Sequence, residues 1–262
     1  MPIRNSEKEW ERLGQSDPYY GVVSMDKFRN ARLDETARQE FFQSGEDHIA
    51  FIMDTIREKI DQSFQPRRAL DFGSGVGRCA IPLAKRCEEV VGMDVSPSML
   101  DEARANCERL GIENLENLLG DGDLSGIEEG FDLIHSFIVF QHINPAKGGR
   151  IIEGMLSKLN PGGVLAIQLL YMREEKPLLK LLGWLRIRVP LIHNLANLVY
   201  GKPFNEPLME KNCYDLNCVM HMVQKSSSGN VYAMFQGKGR LKSILLFIQN
   251  REQKVPYDEF YE

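Results

Sequence analysis

The apolar residues of this chain change period along its length, and each change marks an element. Ile49, Ile52, Met53, Ile56 and Ile60 recur every three or four residues. That spacing predicts a helix from about Gly45, with Ser44 as its cap and Pro66 as its stop. Beyond Pro66 the pattern shortens. Residues 69–72, 90–93, 115–119, 131–137 and 164–170 form short runs rich in apolar side chains. The fourth is nearly continuous, as in a strand covered on both faces. Helical stretches alternate with them, over about 76–86, 97–110 and 145–159. Ser96-Pro97 is a capping serine followed by proline at the first helical position, and Gly111 closes that helix. Asn160-Pro-Gly-Gly163 reads as a turn. Two further strand-like runs, 231–236 and 243–249, flank Gly237-Lys-Gly239 and predict a hairpin.

Strands and helices alternating at this length imply an α/β fold with a mostly parallel sheet, right-handed crossovers and helices on both faces. The chain has 262 residues, enough for one such domain with elaborations. Residues 1–43 are polar with scattered aromatics (Trp10, Tyr19, Tyr20, Phe28, Phe41, Phe42) and read as an arm or lid. Residues 44–170 form the binding core, 171–228 an insertion capping the acceptor site, and 229–262 the hairpin that completes the sheet. The sequence holds no internal repeat.

Charge and cysteine content narrow the setting. A net charge of -5 argues against a surface built for nucleic acid phosphates. Five cysteines with no CxxC pair argue against a disulfide framework or a zinc site, and so for a reducing compartment. The N-terminus carries no apolar signal segment, and the expected location is cytoplasmic. The apolar stretch 178–199 is broken by Lys180, Arg186, Arg188, Pro190 and His193, which suits a cap helix better than a membrane span. Peripheral membrane contact and homodimerisation through 178–200 are secondary readings of the same stretch.

The chemistry concentrates in Ala69-Leu-Asp-Phe-Gly-Ser-Gly-Val-Gly-Arg78. Gly73, Gly75 and Gly77 let the backbone turn sharply and approach a ligand, and the helix that follows presents free N–H groups. Asp71 precedes the loop, where it can reach the ammonium group of S-adenosylmethionine directly or through water. Asp94 ends the second strand, suited to the two ribose hydroxyls. Gly120-Asp-Gly-Asp123 follows the third, with Asp121 placed to accept from the adenine amine. Val95 and Met99 can wall the adenine. A nicotinamide enzyme would carry GxGxxG, usually without the acid before it, whereas this loop is GxGxG after Asp71.

DFGSGVGR, GMDVSPSML, GDGDL, FDLIHSFIVFQHI and LNPGGVLAIQ together resemble the class I S-adenosylmethionine-dependent methyltransferases, over about residues 66–170. The resemblance implies a Rossmann-like, seven-stranded sheet whose last strand is antiparallel. It implies that Asp71, Gly73, Gly75 and Gly77 contact the amino-acid end of the cofactor. Asp94 would hold the ribose, Asp121 and Gly122 would sit by adenine, and Ser136 beside the amino acid. Ser74 and Ser96 complete the expected cofactor set with Val95 and Met99. His142, after the fourth strand, is the candidate catalytic base. Tyr19 and Tyr20 are candidates to close over the cofactor. Asn205, Asn212, Tyr214 and Asp215 are polar groups that could meet acceptor hydroxyls. His48, His135, His193 and His221 show no metal-ligand spacing, and no metal is expected. The expected activity is methyl transfer to a small-molecule, glycan or glycolipid acceptor, at a hydroxyl. The alternatives are an N-methyltransferase of a small metabolite, or a cofactor-binding subunit without catalysis.

Overall fold

The computed structural model describes residues 6–120, 124, 126–174, 183, 189–199, 201–204, 206–207, 209–226 and 229–250. Seven strands form one sheet: β1 (Arg68–Phe72), β2 (Glu89–Asp94), β3 (Leu115–Leu119), β4 (Phe131–Ser136), β5 (Leu159–Arg173), β6 (Val231–Lys238) and β7 (Leu241–Gln249). Their order is β3-β2-β1-β4-β5-β7-β6. The first five pair in parallel, and β7 runs antiparallel between β5 and β6. The expected fold class is thus the observed one.

The helices are α1 (Ser6–Ser16), α2 (Pro18–Val22), α3 (Glu35–Lys59), α4 (Ala80–Ala84), α5 (Pro97–Leu110), α6 (Pro145–Ser157), α7 (Pro190–Val199) and α8 (Leu216–Ser226), of which α3, α4, α5, α6 and α8 pack on the sheet. Alternate residues of each strand enter separate cores. On one face Leu70, Ile134, Leu165, Ile167, Leu246 and Ile248 pack with Ile152 and Met155 of α6 and Val219 of α8. On the other, Ala69, Leu133, Val164, Ala166, Leu245 and Phe247 pack with Ile49, Ile52 and Ile56 of α3. Near-continuous apolar strands follow from burial on both sides.

Local signals placed some boundaries and misplaced others. Ser96 caps α5 by accepting from Met99 N, and Gly111 ends it with φ of 67°. By contrast α3 begins ten residues earlier than expected, with Asp34 accepting from Ala37 N as its cap. Ser44 lies inside the helix and donates to Phe41 O. Ala37, Phe41, Gly45 and Ile49 form a stripe at spacing four, and Gly45 is its close-contact member, not a start. The helix after the glycine loop is shorter than expected because Gly77, with φ of 90°, keeps the chain in a turn. The hairpin turns at Gly239-Arg240, while Gly237 stays in the ladder opposite Lys242. Asn160–Gly163 falls within β5, where the β4–β5 register shifts.

Among the described residues no helix is long and apolar enough to cross a membrane. Helix α7 buries His193 and Asn197 and exposes Leu191, Leu195 and Leu198. Most of the expected cap segment before it, 175–182 and 184–188, lies outside the described residues.

Candidate functional site

The parallel strands end together at one edge, where an open α/β sheet binds ligands. The glycine loop lies on that edge. Gly73 N and Ser74 N both donate to Met93 O, at 2.7 and 3.0 Å, which pulls the loop over the end of β2. Gly73 and Gly75 have φ of 79° and 53°, a region that favours glycine. Both positions are also crowded. A Cβ on Gly73 would lie 2.3 Å from Val139, and one on Gly75 would lie 2.5 Å from Val22. Asp94 faces this loop. Its two carboxylate oxygens accept from Gly75 N at 2.9 Å and Ser96 N at 3.0 Å. Burial raises its pKa, against the backbone N–H groups of Ser96, Gly75 and Val95.

Several expected cofactor residues have other partners. Asp71 is buried, and its Oδ1 takes a hydrogen bond from His135 Nδ1 at 2.7 Å, its neighbour across the β1–β4 pair. Ser136 Oγ donates to Phe72 O at 2.8 Å, which locks the same two strands. The Ser96 hydroxyl is spent on the α5 cap and on Glu11. Met99 is buried beneath the arm with Tyr19, Phe41 and Val76. Ser74 Oγ is buried, has no hydrogen-bond partner among the described residues, and sits against Gly92. Asp121 and Gly122 lie outside the described residues. An acid turned toward a positive-φ glycine loop, with backbone N–H groups holding it, fits a nucleoside cofactor at this edge.

The arm is helical and crosses this edge. Trp10 of α1 packs edge-on against His142, with ring centroids 4.9 Å apart. Glu11 accepts from Ser96 Oγ (2.7 Å), Ser98 N (3.1 Å) and Ser98 Oγ (2.6 Å), at the N-terminus of α5. Burial opposes that carboxylate, but the hydrogen bonds from Ser98 and Ser96 outweigh it and lower its pKa. Tyr19 is a packing residue whose hydroxyl donates to Glu102 at 2.7 Å. Tyr20 lies under the Arg29 guanidinium, and Arg29 pairs with Glu206 at 2.7 Å, tying the arm to the segment after α7. Nothing local in residues 6–16 announced Glu11 as a second cap for α5, because the two lie 85 residues apart.

His142 has both ring nitrogens engaged. Nδ1 donates to Glu210 O at 2.7 Å, and Nε2 accepts from the Gln141 amide at 3.0 Å. Burial lowers its pKa to about 4. The supposed acceptor-binding groups are structural where described. Tyr214 is buried and donates to Ile143 O, Asn212 N donates to Gln141 O, and Asp215 caps Asn217 N. Asn205 lies outside the described residues.

His48, His135 and Cys79 converge, which their spacing in sequence did not suggest. Their ligand-type atoms lie within 4.8 Å of one another. With the Nδ1–H of His135 turned to Asp71, its Nε2 accepts from His48 Nε2–H at 3.0 Å. Asp71, His135 and His48 thus form one hydrogen-bonded chain, its first two members buried and His48 half-buried. Burial, with His135 and Arg78 nearby, lowers the His48 pKa to about 2.

Two half-buried neutral imidazoles make the fold acid-sensitive. An unfolded histidine binds its proton near pH 6.5, whereas His142 resists until about 4 and His48 until about 2. Their contribution is complete above pH 6.5 and is lost as pH falls through that window, at about 1.4 kcal/mol per unit for each. Thermal melts at pH 7.5 and 5.0 should differ markedly, and His48→Gln should flatten the dependence. An equal Tm at both pH values would contradict it.

Residues 69–163 match the family model described as a methyltransferase domain. Trans-aconitate 2-methyltransferase of Methylobacterium radiotolerans is 36% identical over 106 residues, which is 40% of this chain and 38% of that protein. The tRNA 5-carboxymethoxyuridine methyltransferase of Escherichia coli is 31% identical over 106 residues, 39% of this chain and 40% of that one. The chain thus spans less than half the length of these curated relatives. Magnesium protoporphyrin IX methyltransferase from Synechocystis, solved with bound S-adenosylhomocysteine, superposes with a TM-score of 0.61 at 15% identity, covering 94% of this chain and 100% of that one. The N-methyltransferase NodS from Bradyrhizobium japonicum gives 0.57 at 16%, covering 95% and 100%. Family match, strand order and glycine loop agree: residues 69–163 match the methyltransferase-domain family, and the chain has the Rossmann-like fold of the class I S-adenosylmethionine-dependent methyltransferases.

Proposed function

We propose that this chain binds S-adenosylmethionine at the C-terminal edge of β1 and β2 and moves its methyl group to a hydroxyl of a small-molecule acceptor. The Asp94 carboxylate carries the reading. Backbone N–H groups of Gly75 and Ser96 aim it at the glycine loop, where a vicinal diol can donate to it. The Gly73–Gly77 backbone takes the amino-acid end, and Asp71 acts on that end from beneath, through the loop. Val95 walls the adenine. A net charge of -5 supports a small acceptor over nucleic acid, and five free cysteines support a reducing, cytoplasmic setting.

The bound cofactor supplies a methyl group already activated by its sulfonium. What remains for the chain is to hold the acceptor oxygen in line and to take its proton. His142 takes the proton in this reading. Its pKa of about 4 keeps the ring neutral at physiological pH, and the Nδ1–H bond to Glu210 O leaves Nε2 as the acceptor nitrogen. The acceptor hydroxyl replaces the Gln141 amide at Nε2. Loss of the ring by His142→Ala should lower kcat about a hundredfold and leave cofactor binding intact. The acid limb of kcat/KM should fall near pH 4, well below an ordinary histidine. Unchanged turnover of the alanine variant would remove His142 as the base.

Calorimetric titration tests the whole reading. S-adenosylhomocysteine should bind and NAD should not. Binding of NAD alone would overturn it. If the homologue binds but a screen of hydroxylated metabolites and glycosides with labelled S-adenosylmethionine yields no turnover, the chain is a cofactor-binding partner subunit.

A further inference from the structure

A cavity of about 400 Å³ opens at the same edge of the sheet, where β5 ends and β7 begins. Its position follows from register. Leu170 on β5, Ser243 on β7 and Gln236 on β6 lie in one row, and period two adds Gln168 and Leu241 to the same face. Further back on that face stand Val164, Ala166, Leu245 and Phe247, the apolar floor under α3. Toward the edge the apolar pattern gives way to carboxamides and a hydroxyl.

The far wall comes from the turn after β4. Ile138 lines the cavity, and the next residue, Val139, covers Gly73 of the glycine loop. One turn therefore separates the cavity from the cofactor loop. Ile138 has φ of 66°, the only non-glycine residue in that region among those described. A β-branched side chain there is strained. Gln141 also lines the cavity, and its amide reaches Ile138 O at 3.4 Å and His142 Nε2 at 3.0 Å.

Resting on the methyltransferase reading, we propose that this cavity is the acceptor site and that it selects an uncharged, polyhydroxylated molecule through Gln141, Gln168, Gln236 and Ser243. A carboxamide offers one acceptor oxygen and two donors, the complement of a hydroxyl-bearing ring. Gln168 Nε2 lies 3.4 Å from Gln236 Oε1 and 3.3 Å from Ser243 Oγ, so the three form one array. Among the described residues no charged side chain lines the cavity. A carboxylate or phosphate moved in from water would lose its hydration without gaining a counter-charge. Leu170, Leu241 and Ile138 leave apolar surface for the carbon faces of a ring. The volume suits a ligand of mono- or disaccharide size.

The test uses matched neutral and anionic probes. Saturation-transfer NMR on the full chain would compare p-nitrophenyl glucoside with p-nitrophenyl glucuronide, with and without S-adenosylhomocysteine. The glucoside should bind at least about tenfold more tightly than the glucuronide, and Gln168→Leu and Gln236→Leu should each weaken it about tenfold. Calorimetry on the same variants should leave S-adenosylhomocysteine affinity unchanged, which also shows that they fold. Equal or tighter binding of the glucuronide, no glucoside binding, or variants that bind the glucoside normally would each overturn the assignment. Failure of S-adenosylhomocysteine to bind the wild-type chain, with glucoside binding intact, would instead strike the methyltransferase reading.

Discussion

Replacing Asp94 with alanine should weaken S-adenosylhomocysteine binding by about a hundredfold or more, while the fold survives. Two hydrogen bonds from ribose hydroxyls to one carboxylate are lost, each worth about 1.5–3 kcal/mol when the acceptor is charged. Asp94→Asn should do nearly as badly. Both carboxylate oxygens already accept a backbone N–H, one from Gly75 and one from Ser96. An amide NH2 in either place confronts a donor with a donor, so the side chain must rotate and the loop must give. Titration calorimetry on the two variants checks this, with melting curves to confirm folding. Wild-type affinity in either variant would detach Asp94 from the ribose.

The second large effect is on stability. Gly45 lies in the middle of α3, where alanine would ordinarily favour the helix by about 1 kcal/mol. A Cβ at this position would stand 1.9 Å from Arg78 O, a backbone atom that cannot step aside as a side-chain tip can. Helix and loop must separate, which disturbs the packing of Ile49 and Ile52 on the sheet and the bonds from Arg78 Nη1 to Ser44. Gly45→Ala should destabilise the chain by about 3 kcal/mol, near the top of the range for overpacking, and lower Tm by about 6–12 °C. Gly126→Ala is the control, since nothing lies within 4 Å of its Cβ position. A Gly45→Ala variant as stable as the control would mean that α3 is not held against Arg78.

Gly45 also shows where reading the chain stops. In sequence it looked like a helix start, because glycine and serine punctuate and the apolar period becomes regular just after them. Its real constraint is a carbonyl 33 residues away along the chain. The same division runs through the site. The loop at Gly73–Gly77 and the acid at Asp94 were legible because turn geometry and strand ends leave short, local patterns. So were the Ser96 cap and the Gly111 stop. Asp71 was legible as an acid before the loop, yet its partner was not. Only the β1–β4 register puts His135 beside it, and only the packing of α3 brings His48 to His135.

The acceptor end was the most opaque. Residues 171–228 drew attention as the insertion that should cover it, and Asn212, Tyr214 and Asp215 proved to serve backbone and caps. Gln168, Gln236 and Ser243 carried no local signal, since single glutamines in strands are common surface residues. They become a site because β7 inserts between β5 and β6 and aligns three distant rows. Sequence alone determined the alternating architecture, the glycine loop and the acid that faces it, because hydrophobic period, capping and turn chemistry act over a few residues. Tertiary structure decided which side chains meet across strands, where the arm seats, and what lines the acceptor cavity. Those depend on strand order and register, which no short stretch of the chain encodes.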